Sequence, residues 1–171
     1  MNRATAAALF VLVIALTGCA AGIKPEVSNA PYAYDGRKFD RVTVQMSPQA
    51  KKELPDNLDF DAKTFEAELT KVMDAGQLLQ SGSDSRVLVT VKDIRSRSTL
   101  NAVLWGFMAG DDHVVGDVTL LGAGDRPLHK FEVSASYALG GLAGGTDTRM
   151  GWLYRRFAEL TMQELKGAKA Q

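Results

Sequence analysis

One cysteine and two histidines, Cys19, His113 and His129, are the whole supply of thiol and imidazole in this chain. Nucleophilic, metal-bound and acid–base chemistry must therefore be sought at few positions. Asp111, Asp112 and His113 form the densest set of metal-donor types. A transition metal needs donors that converge on one point, and three consecutive residues do not all aim at one ion. No second histidine stands at helical ligand spacing, so these residues read as a polar entrance to a strand and no metal is expected. Gly140 to Thr146, GGLAGGT, puts glycines before a helix start, where free N–H groups attract anions. It lacks the lysine of a phosphate loop, and Asp147 places negative charge where the phosphate would sit. No serine stands in a G-x-S-x-G elbow. Asp111 and Asp117 have the residue types for paired-carboxylate catalysis, as any two surface carboxylates do. The expectation is a non-enzymatic protein with no catalytic residue and no cofactor.

Cys19 has a context of its own. Residues 1–18 carry one basic residue, Arg3, and then an uncharged, mostly apolar run from Ala4 to Leu16. At 13 residues that run is shorter than the roughly 20 a membrane-spanning helix needs, and it has the shape of a secretory leader. Leu16, Thr17, Gly18 and Cys19 resemble the bacterial lipobox, in which small residues precede a cysteine that is lipidated and becomes the new first residue. An ordinary leader cut near Ala20 would export a lone thiol with no internal disulfide partner. Lipidation removes that thiol. A diacylglycerol and an N-acyl chain on Cys19 anchor a protein stably, at about 0.8 kcal/mol per buried CH2. The lipobox resemblance also implies, from Ala20 rather than Asp after the cysteine, an outer-membrane, periplasmic-face location.

Beyond the leader the chain keeps about 150 residues, enough for one domain with a proper core. The sequence balances 20 basic against 20 acidic residues, so it lacks the positive excess that nucleic-acid binding needs. From Ala20 to Arg37 it has two prolines, two glycines and no strand or helix period. Residues 19–37 therefore read as a lipidated N-terminus and flexible tether, able to reach roughly 60 Å when extended. Residues 38–168 read as the folded domain.

Within the domain, Phe39 to Met46 has the alternation of a strand. A polar connection broken by Pro55 leads to a helix capped by Asp61, with Phe65, Leu69, Val72 and Met73 on one face. Val87, Val89 and Val91 mark a second strand. Residues 113–121 and 127–139 are two strand-like runs joined by GAGDR, a connection of hairpin length. In the second run Phe131, Val133, Ala135, Tyr137 and Leu139 oppose Lys130, Glu132, Ser134 and Ser136, which predicts one buried and one wet face. Met150, Leu153, Phe157 and Leu160 make the apolar stripe of a last helix capped by Thr146 or Asp147. The order is strand, helix, strand, hairpin, helix (β-α-β-β-β-α). Its most economical packing is an α+β two-layer sandwich, a mostly antiparallel sheet with two helices on one face.

The hairpin brings two glycine-rich apolar segments together. Leu104 to Gly110 leads into its first strand and Leu139 to Gly145 leads out of its second, at the end away from GAGDR. The predicted composite patch is Trp105, Phe107, Met108, Leu139 and Leu142 on a backbone made approachable by Gly106, Gly110, Gly140, Gly141, Gly144 and Gly145. Three readings compete for it. It closes the core over a helix end, as apolar runs usually do. It is an interface for a protein partner or a second copy, since Trp, Phe and Met are typical anchors. Or it touches a membrane, with little basic charge nearby to assist.

With LWGFMAG, GAGDRPL and SASYALGGLAGG in view, the chain resembles a family of small bacterial lipoproteins defined by a domain of unknown function, number forty-four-ten. The likeness spans about Phe39 to Lys166 and is most specific between Ser98 and Gly145. The family carries a basic residue after its apolar glycine motif, where this chain has Asp111 and Asp112. More distantly, the layout is similar to α+β lipoprotein domains that assist envelope transport and assembly machines. The combined expectation is a lipid-anchored cell-envelope accessory protein working through a protein partner or self-association, without nucleic acid. The alternative expectation is a small-ligand or lipid-binding accessory lipoprotein.

Overall fold

A computed structural model of the chain describes residues 21–25, 34–97, 110–138 and 145–166. Five strands, β1 (Ala21–Pro25), β2 (Val42–Met46), β3 (Arg86–Arg95), β4 (Asp112–Leu121) and β5 (Pro127–Tyr137), form one sheet in the order β1-β5-β4-β3-β2. Every neighbouring pair is antiparallel except β2 with β3, which is parallel. Among the described residues the helices are α1 (Pro48–Glu53), α2 (Ala62–Ala75) and α3 (Thr146–Lys166). The chain is therefore α+β with a mostly antiparallel sheet.

Alternation builds the core. Val87, Val89 and Val91 of β3, Val114, Val118 and Leu120 of β4, and Phe131, Val133, Ala135 and Tyr137 of β5 all point inward. A bulge between Val91 and Asp93 then shifts the phase, so that Ile94 rather than Asp93 is buried. On α2, Phe65, Leu69 and Met73 are buried, and the helix starts where Asp61 accepts a 2.6 Å hydrogen bond from the Thr64 N–H. That bond holds the Asp61 carboxyl below the usual carboxylate range. On α3 the stripe Met150, Leu153, Phe157 and Leu160 is buried as expected, joined by Tyr154 and Leu165. The two helices meet through Phe65, whose ring lies 5.1 Å from Phe157 and 5.0 Å from Tyr154. Each such side chain removed from water contributes about 1.5–3 kcal/mol. Gly116 lets Phe157 approach the sheet: a Cβ there would stand 3.3 Å from the Phe157 ring and 3.1 Å from the Thr90 carbonyl.

The other side of the sheet is polar. Lys92 reaches Asp117 at 3.1 Å and Glu132 at 2.7 Å, Lys130 reaches Asp117 at 3.3 Å, and Lys24 reaches Glu132 at 3.3 Å. These pairs run across β3, β4, β5 and β1. The Lys92 hydrogen bond holds the Glu132 carboxyl below its ordinary range, and Glu132 in turn raises Lys92.

Two elements differ from expectation. The tether expected over residues 19–37 is interrupted, because Ala21–Pro25 is an edge strand paired with β5 from Ala21↔Ala135 to Pro25↔Phe131. Backbone hydrogen bonds make this strand, and Ile23 packs against the core. Exposed Lys24 and the proline type of residue 25 are what sheet edges use to stop further pairing, so the segment's composition reads as a linker. The second addition is α1, in what the sequence presents as a plain connection. Ser47 caps it by accepting from the Ala50 N–H at 3.1 Å, and Pro48 occupies its first turn. The opposite sheet edge is guarded as well, since the Val44 N–H of β2 donates to Glu66 of α2 at 2.7 Å.

Candidate functional site

At the end of the sheet away from the 122–126 turn, Asp112 opens β4 directly opposite Tyr137, which closes β5. Residues 112, 114, 116, 118 and 120 share one side of β4, so the Asp112 carboxylate points inward and is fully buried. Two buried arginines meet it there. Its Oδ1 accepts from the Arg97 backbone N–H at 2.6 Å and from Arg97 Nε at 3.3 Å. Its Oδ2 accepts from Arg97 Nη2 at 3.1 Å and Arg149 Nε at 2.9 Å. Burying charge costs several kcal/mol per ion unless geometry and hydrogen bonds compensate. Here the planar forks of both guanidiniums supply that geometry. Among the described residues, no buried side-chain nitrogen or oxygen lacks a hydrogen-bond partner.

The same arginines bind the backbone around the two glycine-rich segments. Arg97 Nη1 donates to the Gly110 carbonyl and Nη2 to the Tyr137 carbonyl, the latter at 3.3 Å. Arg149 Nη2 donates to the Arg97 carbonyl at 2.7 Å and to Thr146 Oγ1 at 3.4 Å, and the Arg149 N–H donates to the Gly145 carbonyl at 3.2 Å. Arg97 and Gly110 flank residues 98–109, while Tyr137, Ala138 and Gly145 flank residues 139–144. One charge cluster thus fixes the described stems of both segments. Tyr137 is further braced by Trp152 of α3, with ring centroids 5.3 Å apart.

Of the predicted patch, the structure describes Gly110 and Gly145. Gly110 has φ +83°, and a Cβ there would lie 2.6 Å from Arg95 Nη1, so its place is set by a left-handed backbone against a guanidinium. Gly145 is exposed with open space around it. Trp105, Gly106, Phe107, Met108, Leu139, Gly140, Gly141, Leu142 and Gly144 lie outside the described residues, as does Cys19.

The three adjacent donors at the start of β4 split, Asp112 from the other two. Asp112 turns inward to the arginines, whereas His113 faces the other way, with Nδ1 3.4 Å from Asp111 and Nε2 3.2 Å from Asp93. Among the described residues no group of three His, Cys, Asp or Glu side chains is placed to hold a metal. Asp117, the other half of the carboxylate pair, is held by Lys92 and Lys130. Reading Asp112 as a polar strand entrance is corrected: it is a buried counter-ion, excluded from solvent and saturated by arginine donors. Such a group organises the backbone around it. Its burial has a signal in the sequence, since extending the alternation of Val118, Gly116 and Val114 by two residues lands on Asp112. Arg149 has one too, four residues before Leu153 on the buried stripe of α3. Arg97 lies past the end of β3 and follows no period.

No family model matches the chain, and no curated protein matches it. Among solved structures, the chain is similar to the PelC dodecamer from Paraburkholderia phytofirmans at 13% identity and a TM-score of 0.48, covering 84% of this chain and 98% of that one. A variant of the same protein gives 12% identity and a TM-score of 0.47 over 88% of this chain and 100% of that one. A minor lipoprotein from Acinetobacter baumannii is 12% identical with a TM-score of 0.34, covering 75% of this chain and 94% of that one.

Proposed function

We propose that this chain is a lipid-anchored cell-envelope accessory protein, without enzymatic activity, that docks a protein partner or a second copy through the end of the sheet marked by Arg97, Asp112 and Arg149. The observation that carries this reading is the clamp itself. Three buried charges are spent on fixing the stems of two segments whose sequences are rich in glycine, Trp, Phe and Met. Preorganised stems lower the ordering cost of an interface built on the segments between them. Cys19 is the lipid attachment point in this reading, and the outer membrane, periplasmic face, is the location.

The test is site-specific photocrosslinking in intact cells. A photoreactive residue at Trp105 or Leu142 is expected to give one and the same discrete adduct, with none from Ser81 at the opposite end of the sheet. Adducts from neither position, together with a Trp105 indole shielded from an aqueous quencher, would return these residues to the core and end the proposal.

A further inference from the structure

Ala21 pairs with Ala135, two residues before the end of β5, so β1 starts at the clamp end of the sheet and runs toward the 122–126 turn. Cys19 precedes Ala21 by two residues, a span of at most about 7 Å. A lipid on Cys19 is therefore wired to the sheet and is not carried on a long leash. We infer that the clamp end is the bilayer-facing end of the domain, with the sheet standing on its end above the membrane. This rests on the lipoprotein reading of Cys19 and deepens it: a partner that reaches residues 98–109 and 139–144 must itself sit at the membrane surface.

The geometry gives the distances. Strand β4 has 10 residues, which places the turn end about 34 Å from the clamp end. Electrostatic adsorption is not what sets the orientation. Charges around the clamp end are mixed in sign: Arg95 on one side, and Asp93, Asp111 and Asp147 on the other. The strap is the β1–β5 pairing, pinned by Ile23 inside and by Lys24 on Glu132 outside.

The experiment uses the full-length lipidated protein in phosphatidylcholine vesicles containing a nitroxide-labelled lipid. Single fluorescent labels are placed at Asp147→Cys or Gly145→Cys, both exposed at the clamp end, and at Ser81→Cys, exposed at the turn end. Quenching is expected to be several-fold greater at 145 and 147 than at 81, and unchanged when phosphatidylglycerol is added. Inserting a long glycine–serine linker between Ala20 and Ala21 is expected to abolish the difference. Equal quenching at both ends, or a difference that survives the linker, overturns the inference. An intact mass lacking acyl chains on Cys19 would instead remove the lipoprotein reading beneath it, so the two failures are distinguishable.

Discussion

Replacing Asp112 by Asn is the sharpest perturbation of the clamp. The carboxylate accepts four hydrogen bonds, two on each oxygen. Asn keeps one acceptor oxygen, which can still serve the Arg97 N–H and Nε, but it turns an NH2 toward Arg97 Nη2 and Arg149 Nε. Two charge-assisted bonds are lost, each worth about 1.5–3 kcal/mol. Two buried guanidiniums also lose their negative neighbour, and breaking a buried pair in this way costs about 3–5 kcal/mol. The expected loss is therefore about 4 kcal/mol, which lowers the urea midpoint by roughly 2 M at an unchanged slope and the melting temperature by roughly 10 °C. Arg149→Met costs less than Asp112→Asn, because it removes a cation and leaves the Arg97–Asp112 pair. The double variant should be less destabilised than the two single losses added together, since the orphaned Arg149 charge disappears. A loss under about 1 kcal/mol for Asp112→Asn, the range of an exposed ion pair, would show that the clamp is not a buried charge cluster holding the fold.

Other consequences are cheaper to check. Burial pushes the Tyr154 phenol up to about 12, against the hydrogen bond it accepts from the Asp61 N–H. The unfolded chain then ionises first, so its stability contribution is complete below pH 10 and is lost as pH climbs from about 10 to about 12; phenolate absorbance near pH 12 should show a late-titrating tyrosine that Tyr154→Phe removes. Gly116→Val drives a side chain into Phe157 and should cost about 2 kcal/mol in urea unfolding, partly recovered by Phe157→Leu. Gly110→Ala imposes a Cβ on a left-handed backbone, with an expected loss of about 1–2 kcal/mol; full stability would show that the turn relaxes. Asp61→Ala should cost about 1 kcal/mol through the lost cap of α2, with little change in slope.

The core was legible because period-two alternation and a helical stripe are direct images of one-sided burial. Val87, Val89 and Val91, the β5 set from Phe131 to Tyr137, and the α3 stripe all lie inside as read. Asp61 was legible as a cap for the same local reason. β1 was not, because an edge strand is made by backbone pairing across more than 100 residues and advertises only Ile23. The parallel alignment of β2 with β3 was hidden likewise, being a property of the α1–α2 crossover and not of either strand. At the candidate site, the meeting of the two segment stems followed from the hairpin alone. The carboxylate and arginines that tie those stems together did not, since charged residues are expected outside and the type of Asp112 points the opposite way from its place in the alternation.

The orientation of the domain at a membrane depends on what happens at Cys19. The most direct measurement is the intact mass and N-terminal peptide of the protein extracted from cell membranes. The expected result is a chain that begins at Cys19 and carries acyl groups there, and a Cys19→Ser variant that loses the acyl mass. A mature chain beginning at Ala20 or beyond, unmodified and recovered in the soluble fraction, would contradict it.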